Sequence, residues 1–182
     1  VHLGQTVLEL ALGLLSGCML GFVSGILMAE SALLRRTLMP YVVTSQVVPK
    51  LALAPLFIVW FGFGTLPIVV MTALICFFPL LENTLTSFQQ VDLDRLELFR
   101  MLGATRWQTL WQLKIPAGLP VILAGLRVAV VLALVGAVVG EFIGASKGLG
   151  ALIIAAQGSM DTPLMFAVLL LITLLGLALY QL

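Results

Sequence analysis

Charge is what this sequence has least of. Only 9% of its 182 residues are charged, 62% are hydrophobic, and the mean hydropathy is +1.21. Soluble domains carry roughly 25% charged residues, so the composition excludes a soluble globular domain and reads as an integral membrane protein. Histidine is nearly missing: His2 is the only one. No histidine-built metal site follows, and no Ser/His/Asp or Cys/His nucleophile set. The two cysteines, Cys18 and Cys76, fall inside apolar runs and read as small packing residues rather than a disulfide. None of the lysines Lys50, Lys114 and Lys147 is followed by Ser or Thr, so the chain has no GxxxxGK[ST] loop to cradle ATP phosphates. No pair of carboxylates stands at an obvious catalytic spacing. A net charge of +1 gives nucleic acid no reason to bind.

What the chain has in abundance is apolar runs. A membrane-crossing helix needs about 20 of them in a row. Five segments qualify or nearly so: 7–29, 44–61, 66–87, 121–143 and 164–182. The first lacks a basic flank and a cleavage site, so it is a span and not a signal peptide. The second holds Pro49 and Pro55 and is expected to kink, as is the third at Pro79. Phe61 to Thr65 is a tight turn, with Pro67 suited to the first turn of the next helix. Arginine and lysine cluster after the first span (Arg35, Arg36) and after the third (Arg95, Arg100, Arg106, Lys114). Positive loops face the cytoplasm, so Val1 is expected outside and Leu182 inside. Lys50 is expected to snorkel near the inner surface, and Trp60 to anchor in the outer aromatic belt. A loop at 143–162 joins the last two spans on the outer side. Its Ala151–Ala156 stretch is too short to cross and reads as an interfacial or re-entrant helix ended by Gly158.

Two ladders of glycine recur every four residues: Gly13, Gly17, Gly21, Gly25, and then Gly136, Gly140, Gly144, Gly148. Small residues at this spacing let helix backbones approach closely in lipid. They read first as packing surfaces, and alternatively as surfaces along which helices slide.

The one long polar interruption is 89–120, QQVDLDRLELFRMLGATRWQTLWQLKIPAGLP. Asp94 with Glu97 forms a capping-box pattern, and Leu96, Phe99 and Leu102 follow at helical spacing. Gly103 stands where a C-terminal glycine would. Thr105 and Gln108 start a second box, Trp107, Leu110, Trp111 and Leu113 supply its apolar face, and Pro116 is expected to end it. Spacing alone fits an amphipathic loop on the lipid surface as well as a docking surface.

The register here resembles the EAA loop of ABC-importer permeases: Glu97-Leu98-Phe99, three residues, Gly103, nine residues, then Leu113-Lys114-Ile115-Pro116. Glu, Gly, Pro and both spacings match; Leu98 and Phe99 replace two alanines, making a bulkier helix face. The run GLPVILAGLRVAVVLALVGAVVGEFIGASKGLG is similar to the nitrate, sulfonate and taurine subgroup. The resemblance implies an all-α, MetI-like permease in the bacterial inner membrane, with about five spans in this chain and a cytoplasmic helix–Gly–helix coupling loop. A further N-terminal span is usual in that family, so the chain is expected to be a piece of a longer protein. The implied partners are cytoplasmic ABC ATPases that bind ATP and Mg in this chain's stead, a second permease subunit, a solute-binding protein outside and membrane lipid. The implied coupling residues are Glu97, Leu98, Phe99, Arg100, Gly103, Ala104, Thr105, Arg106 and Pro116. The outer loop would close the outward mouth, with a buried scaffolding loop as the alternative. A stand-alone secondary transporter or channel is the alternative, but no internal repeat or chain of acids supports it. A purely structural membrane subunit is not excluded by the loop.

Charges inside the spans default to functional candidates. Glu82 and Arg127 lie at similar depth from the inner surface, which suggests an ion pair pinning the third span to the fourth, with a gating role as the alternative. Glu141, near the outer end of the fourth span, is with Gly144 and Gly148 a candidate for the pathway or its gate. A bare carboxylate would repel anionic solutes, which favours a structural role over solute binding. Glu9 and Glu30 are expected to be solvated at the outer and inner interfaces. Asn83, Thr84 and Gln157 are candidate polar lining.

Overall fold

The computed structural model describes residues 1–181; Leu182, the last residue of the expected fifth span, lies outside the described residues. In chain order the elements are α1 (His2–Glu30), α2 (Ala32–Val47), a 3-10 turn (Lys50–Leu53), α3 (Ala54–Phe61), α4 (Thr65–Gln89), α5 (Leu93–Met101), α6 (Arg106–Thr109), a π turn (Leu110–Lys114), α7 (Ile115–Gly144), α8 (Leu149–Gly158) and α9 (Thr162–Tyr180). Among the described residues, four helices are long and apolar enough to cross a membrane. A fifth span is possible if a bent pair counts as one.

The core is three helices. The α4 helix packs between α1 and α7, which also touch each other. The first glycine ladder is the reason α1 can lie so close. A Cβ on Gly17 would enter the backbone of Ala73, one on Gly21 the carbonyl of Phe77, and one on Gly25 would sit 2.8 Å from Thr84 Cβ. On α7, Gly118 and Gly125 do the same against Ser87 and Asn83, and Ala129, Ala133 and Ala137 complete a fully buried stripe of small residues. Bulk is removed so that backbones meet, the arrangement helix pairs use in lipid. The second ladder is not one surface. Gly136 and Gly140 face α4, Gly144 faces Ile58 of α3, and Gly148 faces the Glu141 carboxylate.

The second span differs from its expected bounds. The helix begins at Ala32, directly after the single residue Ser31 that caps it, so Arg35 and Arg36 lie on α2 rather than in a loop. It breaks at Val48–Pro49, where the two arms meet at 81°. Proline forces Val48 into extended backbone and withholds an N–H, and Pro55 falls in the first turn of α3. Gly62 and Gly64 supply the positive φ values (79° and 133°) of the turn into α4. The fourth span also starts earlier than expected. It is continuous from Arg106 to Gly144, because Pro116 does not stop the helix. The π turn ahead of it widens the coil by one residue, which relieves the clash a proline ring makes with the preceding turn. Helix α9 is mostly exposed; Val168 is its one buried residue, and Leu164, Met165, Ile172, Leu175 and Leu179 are half-buried against the bundle.

Candidate functional site

Two places hold polar groups that the packing of apolar helices does not explain. The first is the hairpin α5–Gly103–α6. Its cap is not the expected box: Asp92, two residues before Asp94, accepts from the Asp94 N–H at 3.1 Å, and Glu97 stands exposed. The C-terminus is a Schellman motif. Ala104 N–H donates to Phe99 O and Gly103 N–H to Arg100 O, both at 3.0 Å. Gly103 has a φ of 70° with nothing within 4 Å of where a Cβ would sit. The glycine is therefore demanded by conformation, not by space. Thr105 then opens α6 with a complete capping box, Gln108 N–H to Thr105 Oγ1 and Thr105 N–H to Gln108 Oε1. Trp107 and Trp111 pack edge to face with centroids 5.6 Å apart.

The hairpin is locally well built and globally unpartnered. No residue of α5 or α6 is buried. Leu98, Met101, Leu102 and Trp107 are 54%, 86%, 74% and 67% exposed. Of the expected apolar stripe, Leu96 and Phe99 are half-buried and Leu102 is exposed. Arg100, Arg106, Glu97 and Pro116 are exposed beside it, and Phe99 and Ala104 are half-buried. Only the base is fixed. Leu110 and Leu113 enter the core, and Lys114 pairs with Glu30 at the end of α1. Glu30, expected to be merely solvated, is therefore one tie between the base of the hairpin and α1.

The expected Glu82–Arg127 pair does not form: neither residue has an ion-pair partner among the described residues. The two side chains line different cavities. Glu82 lines a cavity of about 400 Å³ beside Arg35 and Arg36. Arg127 is exposed and lines one of about 460 Å³ with Leu123, Val130 and Leu179. Asn83 donates to Pro79 O at 2.7 Å within its own helix and packs on Gly125. Thr84 is buried against Gly25, and Gln157 is exposed.

The second place is where α1, α7 and α8 meet. Glu141 and Glu9 are each 1% exposed, so Glu9 is not solvated as expected. Thr6 Oγ1 donates to Glu141 Oε1 and Gly150 N–H to Glu141 Oε2, both at 2.6 Å. Leu149 N–H donates to Thr6 Oγ1 at 2.8 Å. The first turn of α8 is thus capped by side chains from two other helices, which answer its orphan N–H groups and its positive end. Gln5 Nε2 donates to Glu9 Oε1 at 2.7 Å and to Thr65 Oγ1 at 2.8 Å. Gly148, at a φ of 134°, has the Glu141 carboxylate where a side chain would go.

Residues 17–182 match the model of the family described as binding-protein-dependent transport system inner membrane component. The chain belongs to this family. A probable ABC transporter permease protein of Haemophilus influenzae is 39% identical, over 98% of this chain and 73% of its own length. The formylaminopyrimidine transport permease ThiX of Halalkalibacterium halodurans is 38% identical, over 97% and 70%. The putative aliphatic sulfonates transport permease SsuC of Bacillus subtilis is 36% identical, over 96% and 63%. In solved structures, an inward-facing form of the MetNI methionine ABC transporter superposes with a TM-score of 0.84 at 19% identity, covering 96% of this chain and 88% of that one. That likeness carries the fold alone: an all-helical, MetI-like bundle.

Proposed function

We propose that this chain forms half of the solute pathway of an ATP-driven importer and that cytoplasmic ATPases grip it by the α5–Gly103–α6 hairpin. One observation supports this most: a rigidly capped hairpin that leaves Leu98, Met101, Leu102 and Trp107 in water and is fixed to the bundle only at its base. An apolar face of this kind, rimmed by Arg100 and Arg106, is what a protein partner covers. ATP and Mg bind in the ATPases, which close on nucleotide and pull the hairpin. Because α6 runs without a break into α7, displacement at Trp107 becomes tilt of a core helix. A second permease subunit completes the pathway, and an external binding protein delivers the solute. Access alternates because nucleotide and loaded receptor favour different states.

The solute is a small polar organic molecule or anion, such as a sulfonate or a vitamin precursor. The relatives named for formylaminopyrimidine and aliphatic sulfonates support that range. Pull-down of the ATPase by wild-type permease and by Gly103→Pro tests the docking. Retained association together with retained transport removes the coupling role. Identifying the ligand that co-purifies with the receptor tests the solute class.

A further inference from the structure

The carboxyl groups of Glu9 and Glu141 belong to one buried cluster: Thr6, one turn before Glu9 on α1, donates to Glu141 Oε1 at 2.6 Å, both acids are 1% exposed, and among the described residues no lysine or arginine is paired to either. The donors around them can be assigned one by one. Glu141 takes Thr6 O–H and Gly150 N–H on its two oxygens, and it faces the N-terminal end of α8. Glu9 takes one Gln5 N–H on Oε1, while the other oxygen, Oε2, is buried with no partner. Two adjacent carboxylates in a low-dielectric place cannot both stay charged. The surroundings favour the charge on Glu141, where two donors and the α8 dipole meet it. The orphan oxygen of Glu9 lacks only a hydrogen. We propose that this is a proton-binding site: one proton sits on Glu9 Oε2 and is donated to the Glu141 carboxylate, closing a clasp between α1, α7 and the outer-loop helix α8.

Among the described residues, the other elements packed here bring no lysine, arginine or further acid to the pair. Helix α4 contributes the Thr65 hydroxyl, α8 contributes backbone N–H groups, and His2 Nδ1 stands 3.0 Å from Gly148 O and 3.1 Å from Gly148 N, so that its tautomer decides which of the two it bonds. Lys147 in the adjoining loop is exposed. Removing the shared proton puts two negative charges face to face and drives α1 from α7, which frees the first turn of α8. In the transport reading, α8 closes the outer mouth; that consequence rests on the proposed function, but the proton site does not.

The test uses the assembled transporter in lipid, with ¹³C confined to this chain. At neutral pH, infrared spectroscopy should show a protonated-carboxyl band that shifts in D₂O, persists in Glu82→Gln and is lost in Glu9→Gln. No such band, or one lost only in Glu82→Gln, overturns the proposal whether or not the Glu9 variant assembles. Hydrogen exchange across residues 146–158 reads the clasp itself. Glu9→Gln, whose amide can donate to Glu141 in place of the acid, should match wild type within about twofold. Glu141→Gln should exchange at least about tenfold faster, a change of ~1.4 kcal/mol. Faster exchange in Glu9→Gln, or none in Glu141→Gln, overturns the assignment of the proton. Loss of transport with the band and protection intact would count against the gating role alone.

Discussion

The three-helix core and the hairpin solve opposite problems with the same residue types. In α1, α4 and α7 glycine serves closeness: Gly17 and Gly21 have no room for a methyl group. In the hairpin Gly103 has all the room it needs and serves backbone angle. Acids divide the same way. Glu9 and Glu141 are buried and bonded inside the chain, whereas Glu97 and Asp94 are exposed. The core has enclosed its polar groups, and the hairpin has left its groups for something else. A machine that must pass force from a soluble partner into lipid needs both: a rigid body, and a handle whose surface is not yet used.

The contrast breaks hardest if the core tolerates bulk. Gly17→Leu with Gly21→Leu would push side chains into the backbone of α4, which cannot yield as a side-chain tip can. Overpacking commonly costs about 1–3 kcal/mol per site, and more where nothing can move. No assembled permease should be recovered from membranes. If assembly and transport both survive, close packing is not what the ladder provides. Next in size is Glu141→Ala. It leaves Gly150 N–H without an acceptor, while Thr6 can turn its hydroxyl to His2 O at 3.3 Å. An unmet buried group costs about 1–3 kcal/mol, and with the cavity the loss should reach about 2–4 kcal/mol, read as a lowered thermal midpoint in lipid.

In the hairpin the expected pattern reverses, with large effects on docking and small ones on the fold. Proline locks φ near −65°, far from the 70° of Gly103, and deletes the N–H that meets Arg100 O. Gly103→Pro should leave the amount of folded permease unchanged, since nothing packs there. Capture of the ATPase should fall at least about tenfold. Gly103→Ala should do less, with a local penalty of about 1–2 kcal/mol. A Gly103→Pro chain that fails to fold would mean that the hairpin belongs to the core.

How much of this was legible in the sequence follows from the range of each signal. The Thr105–Gln108 box and the Gly103 turn depend on neighbours within five residues, and both can be read directly. The four-residue glycine spacing announces a close helix pair, though not which helix is the partner. Asp94 shows the limit of local reading: the helix starts two residues earlier, and either aspartate fits a cap by type. Pro116 shows another, because the rule that proline ends helices assumes an α-helical register, and a π turn changes that register. The misses at Glu9 and Glu82 are of a different kind. Thr6 and Glu141 are 135 positions apart, and no periodicity encodes that contact. Depth along a span can be counted, but the direction a side chain takes around the helix axis depends on where the neighbouring helices lie.

One ion pair joins the two regions, and it sharpens the contrast most finely. Lys114 at the base of the hairpin meets Glu30 at the end of α1, with 17% and 28% of their side chains exposed. Partial exposure limits such a pair to about 1 kcal/mol, because water and salt screen it. Glu30→Gln keeps the size and a hydrogen-bonding oxygen and removes the charge. Thermal stability should therefore fall by no more than about 1 kcal/mol, and less in high salt. Force transfer is the sharper readout. If the hairpin moves α7 alone, through the unbroken helix, ATP hydrolysis and transport stay as tightly coupled as in wild type. If α1 is dragged as well, Glu30→Gln loosens the ratio of solute carried to ATP hydrolysed while ATPase capture stays unchanged.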